Sequence, residues 1–147
     1  MYSSILSSGE TTLNQRGENE QIVGNITIGD TAGTLNNTCS NTTLIGVNAG
    51  NNLVSGDENV YLGYNTGNAT ITSSQSTFIG SKAGENNINS LNNTFVGSSA
   101  GYNAATSNNG VMIGVNTGYN NSGDNNNIIG NHEINNFNFN IKKGTNV

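Results

Sequence analysis

The chain has 147 residues, 32% of them hydrophobic and 9% charged, with a formal net charge of -5. That length suits one domain; four Lys and Arg leave no basic patch for nucleic acid, and no run of about 20 apolar residues is present to cross a membrane. Asparagine (32) and glycine (20) stand in for charged and apolar residues, a composition shared by polar β-repeats and low-complexity tracts.

Residues 1–23 are polar and carry no clear repeat. The opening "MYSSILSSGETTLNQ" has neither the cationic start nor the apolar run of a signal peptide. This segment is expected to be an N-terminal cap or attachment segment, with "QIVG" at 21–24 as a degenerate strand or cap.

From residue 24 to residue 134 the chain repeats. The glycines Gly29, Gly46, Gly63, Gly80, Gly97, Gly114 and Gly130 are spaced by 17 residues, the last step being 16. A second glycine follows four residues later, at Gly33, Gly50, Gly67, Gly84, Gly101 and Gly118. A fixed period of this size predicts a solenoid, in which one coil cannot bury its apolar face alone. The residue before the first glycine is always aliphatic (Ile28, Ile45, Leu62, Ile79, Val96, Ile113, Ile129), which low-complexity drift would not preserve. Three before it stand Ile26, Thr43, Val60, Thr77, Thr94, Val111 and Asn127, on the same strand face. The expected fold class is therefore all-β, a parallel β-solenoid (β-roll) of about seven 17-residue coils.

Each glycine ends a strand, where a positive φ is needed, and the second glycine closes the corner. Small residues (Ala32, Ala49, Thr66, Ala83, Ala100, Thr117) lie between them, and a weaker apolar column (Val54, Ile71, Ile88, Ala105) marks a return strand. The central residues of the strands, Leu44, Tyr61, Phe78, Phe95 and Met112, must oppose the aliphatic column, yet they too are large and mostly apolar. A coil has one interior. The aliphatic column is assigned to it, and Leu44, Tyr61, Phe78, Phe95 and Met112 are assigned to an oligomer interface. The threonines at 43, 77 and 94 invite an ice-binding reading, but Val60 and Val111 interrupt the row, and it is read as interior. Residues 135–147 are expected to form a C-terminal capping strand and tail: "FNFNI" at 137–141 alternates, and Lys142 and Lys143 would protect an open end.

The strings "NNTFVGSSAGYN" and "STFIGSKAGEN" resemble short repeats of bacteriophage and giant-virus tail fibres. More loosely, they are similar to the head repeats of trimeric autotransporter adhesins. The resemblance covers about residues 24–134. It implies a left-handed parallel β-roll, three chains around one axis, and a fibre or adhesin role on a virion or outside a cell.

Chemistry-bearing residues are sparse. G-x-x-x-G between Asn and Ser reads as strand-end turns rather than a membrane dimer motif. Cys39 and His132 lie in distant coils, too far for a dyad, and Asp57 and Glu58 point to opposite faces. Calcium near Asp57 or Asp124 is a minor alternative to a plain turn. No enzyme, metal or cofactor is expected. The main reading is a structural fibre or filament rod whose partner is itself, as a homotrimer that also joins end to end in one version. The alternative is a carbohydrate-binding module in which Tyr102 and Tyr119, one coil apart, form a platform for a host-surface glycan.

Overall fold

The computed structural model describes residues 11–14, 24–35 and 38–131. The expected C-terminal capping strand, His132, Lys142 and Lys143 lie outside the described residues. Ten strands run in chain order: β1 (Thr11–Asn14), β2 (Asn25–Ile28), β3 (Thr43–Ile45), β4 (Val60–Leu62), β5 (Thr72–Ser74), β6 (Thr77–Ile79), β7 (Asn89–Leu91), β8 (Thr94–Val96), β9 (Val111–Ile113) and β10 (Asn127–Ile129).

Eight of them form one sheet in the order β1-β2-β3-β4-β6-β8-β9-β10. From β2 to β10 every pairing is parallel, and the register steps by one repeat, Thr43 facing Val60 and Val60 facing Thr77. Parallel pairing at a constant shift is what a chain does when each turn of 17 residues brings it back beside itself. The result is a β-solenoid of about six turns joining seven rungs. β5 and β7 pair on the return side. β1 reverses direction and lies antiparallel on β2.

The inside of the coil holds the opposite column to the one assigned from sequence. Leu44, Tyr61, Phe78, Phe95 and Met112 are fully buried within a single chain. They have no surface to offer a partner, so they are not an oligomer interface. Tyr61, Phe78 and Phe95 stack with centroids 4.7 Å apart and planes within 5°. The aliphatic column points outward, and so does the threonine column of Thr43, Thr77 and Thr94. Interiority therefore no longer argues against ice binding; the interruption by Val60 and Val111 still does.

Volume is the reason. At the second glycines the backbone runs flat against the ring of its own coil. A Cβ at Gly67, Gly84 or Gly101 would lie 2.6–2.8 Å from Tyr61, Phe78 or Phe95. Large ring and bare glycine are two halves of one packing unit. The first glycines serve the contact between coils: their φ lies between 128 and 141°. A Cβ there would fall 2.0–2.6 Å from the next glycine's carbonyl oxygen, from Gly29 through Gly114.

Asparagine has three structural uses. It fills left-handed corners that glycine does not, as at Asn48, Asn65, Asn92, Asn109 and Asn116. It forms outer amide ladders, Asn86 to Asn103 to Asn120 at 2.7 Å each. It also staples the interior. Asn25, Asn59 and Asn93 are buried. Each accepts the backbone N–H of the residue 17 ahead (Thr42, Ser76, Gly110) and donates to the carbonyl 14 ahead (Cys39, Ser73, Ser107). The coils between carry Thr42, Ser76 and Gly110 at that place, so the interior repeats every two coils, 34 residues, beneath the 17-residue surface period.

Candidate interaction surface

The outward side of the long sheet is the most extended feature of the described chain. Its two columns, Ile26 to Asn127 and Ile28 to Ile129, contain no charged side chain. Ile28, Leu62 and Ile113 are 37–42% exposed, and Ile129 is 76% exposed. Val47, Tyr64 and Val115 widen the stripe just past the first glycine. Six coil steps of about 4.7–4.8 Å by three residues of strand give an area on the order of 300 Å². One column is aliphatic throughout, and the other carries Thr43, Thr77, Thr94 and Asn127 between Ile26, Val60 and Val111. Parallel register brings the corresponding residues of successive rungs into line.

Tyr102 and Tyr119 do come together, with ring centroids 4.6 Å apart and planes 12° apart. Their faces, however, are turned toward each other along the rod. The face of Tyr102 away from Tyr119 meets Lys82, whose Nζ lies 5.9 Å from the ring centroid. Lys82 is in turn held by Glu85 at 3.6 Å. The two rings thus form a ladder along the rod, with Lys82 over one end of it.

The remaining candidates are structural in their contacts. Asp57 Oδ1 accepts the Ser40 N–H at 2.7 Å, and Asp124 Oδ1 accepts the Asn108 N–H at 2.8 Å, each tying its own coil to the one before. Among the described residues no group of three or more His, Cys, Asp and Glu side chains converges. Cys39 is buried, and burial followed by the nearby Asp57 charge pushes its thiol up to about 11. Burial also drives the Tyr61 hydroxyl above its ordinary range, with Ser73 and Thr70 opposing the shift. The glycines Gly29, Gly46, Gly63, Gly80, Gly97, Gly114 and Gly130 all take the expected positive φ.

Sequence reasoning missed two things: the outward aliphatic face and the buried asparagines. Both had a signal. The second glycine is paired with a large residue six positions earlier in its own coil, which marks that residue as the one facing it. The asparagines lie two before the central column, on the same strand face. No family model, curated protein or solved structure matches the chain. No described helix is long and apolar enough to cross a membrane.

Proposed function

We propose that this chain is a structural rod, a module of a virion or extracellular fibre or filament, and that it assembles with copies of itself through the outward aliphatic face. The observation that carries the reading is the column Ile28, Ile45, Leu62, Ile79, Val96, Ile113 and Ile129, aliphatic in every rung and lying outside the coil. Water contact along such a stripe is unfavourable by about 25 cal/mol per Å². Closed symmetry removes it from water on every copy at once, and the repeat resemblance selects three-fold symmetry. The interface is the one expected from sequence turned over: the Ile79/Val96 column lies at the axis, and the Phe78/Phe95 column fills each coil.

The test is the mass in solution, by light scattering or sedimentation, on wild type and two variants. Wild type is expected as a trimer. Ile79→Asp should give smaller, still β-folded species, whereas Phe95→Asp should abolish folding at any concentration. A well-folded wild-type monomer at micromolar concentration would sink the proposal. Glycan-array binding lost in the Tyr102→Ala, Tyr119→Ala double variant would favour the carbohydrate-binding reading instead.

A further inference from the structure

The coil interior has two halves. The apolar half holds the ring stack and the alanines. The polar half is lined by two inward columns, one seven residues after the first glycine (Leu53, Thr70, Asn87, Ala104, Asn121) and one three residues further on. In this half lie Thr70 Oγ1, Asn87 Oδ1, Ser90 Oγ, Ser107 Oγ and Asn121 Nδ2, all buried and without a hydrogen-bond partner in the protein. The Tyr61 hydroxyl, beside Thr70 and Ser73, has none of normal geometry either. Buried polar atoms are almost always paired, so a row of them in successive coils calls for a partner the side chains do not supply.

Spacing says what the partner is. Equivalent atoms in adjacent coils repeat at about the 4.7 Å seen for the core rings. Two hydroxyls 4.7 Å apart cannot bond directly, because that requires about 2.8 Å. One water between them, at about 2.8 Å from each, makes an angle of about 114°, close to tetrahedral. The solenoid repeat is thus matched to single-water bridges.

Gly110 stands at one end of the seam, where a Cβ would be held closely, 3.2 Å from Asn93 Oδ1 and from Ser107 Oγ and 3.5 Å from Asn126 O. In the two equivalent coils that place is filled by Thr42 and Ser76, whose hydroxyls donate to Ser40 O and Ser74 O. Gly110 leaves the same corner without its hydroxyl.

We propose that a file of ordered water runs inside the rod along this seam, from Thr70 and Ser73 to Ser107 and Asn121, with one molecule replacing the missing hydroxyl at Gly110. At roughly one buried water per 27 residues, about four such molecules are expected over the described coils. The proposal is independent of the outward face and of oligomeric state.

Two measurements test it. Water-oxygen or deuteron magnetic relaxation dispersion on the wild-type protein should count about four long-lived waters per chain; none would overturn the proposal. An atomic-resolution crystal map should show peaks bridging Ser90 Oγ and Ser107 Oγ and beside Gly110. Side chains turned to bond protein carbonyls, with no such peaks, would overturn it equally. Gly110→Ser, which restores the hydroxyl present in the other coils, should remove the peak at that corner and lower the relaxation count by about one. An unchanged count and map would overturn the Gly110 assignment.

Discussion

Replacing Gly101 by alanine tests the packing unit on which the inside of the coil rests. Gly101 has φ +60, and an added Cβ would lie 2.6 Å from Phe95 Cδ2 and Cε2 and 2.9 Å from Cζ. The ring cannot retreat: it is fully buried and stacked on Phe78 at 4.7 Å. A left-handed L-residue costs about 1–2 kcal/mol and overpacking a tight core about 1–3 kcal/mol, so Gly101→Ala should lose about 2–5 kcal/mol. Ser99→Ala is the control, because Ser99 already has φ 55 with a Cβ in place; its change should be within about 0.5 kcal/mol. Thermal melts followed by circular dichroism at one protein concentration should place Gly101→Ala about 10 °C or more below Ser99→Ala. Adding Phe95→Leu to Gly101→Ala should recover part of the loss, a coupling of about 1 kcal/mol or more in a double-mutant cycle. If Gly101→Ala and Ser99→Ala melt together, the ring does not pack on that glycine and the account of the interior is wrong.

Three further outcomes are expected. Asn59→Ala strands the Ser76 N–H and the Ser73 carbonyl inside the coil, costing about 2–4 kcal/mol in chemical denaturation, whereas Asn52→Ala on the surface should be nearly neutral. Deleting residues 58–91 keeps the alternation of buried Asn with Thr or Gly and should leave the Gly110 N–H, bonded to Asn93 Oδ1, protected from hydrogen exchange. Deleting residues 58–74 stacks Thr42 on Ser76 without Asn59, and the Ser76 amide should then exchange quickly; equal protection of these amides would rule out the 34-residue interior repeat. With the Cys39 thiol held protonated in the fold up to about 11, the unfolded chain ionises first as pH rises. Stability should be full below about pH 8.5 and decline toward pH 11, and Cys39→Ser, the residue other coils carry there, should remove that part of the decline in melting temperature.

The 17-residue period, the strand triplets and the two glycine columns could all be read from the sequence. They are local demands, repeated because the coil repeats: a strand end with positive φ and a corner with no side chain. The alternation inside "TFV" or "TLI" was equally legible, since neighbouring strand residues must face opposite ways. Which way is inward was not, because both faces of the triplet are apolar and transfer energy favours burying either. That choice depends on what stands across the coil. Phe95 goes inside because Gly101 makes room for its ring, and Asn93 goes inside because the Ser107 carbonyl and the Gly110 N–H, 14 and 17 residues away, arrive to satisfy its amide. Those contacts exist only once the chain has closed a turn, so only the tertiary structure could place Val96, the more aliphatic neighbour, in the outward column.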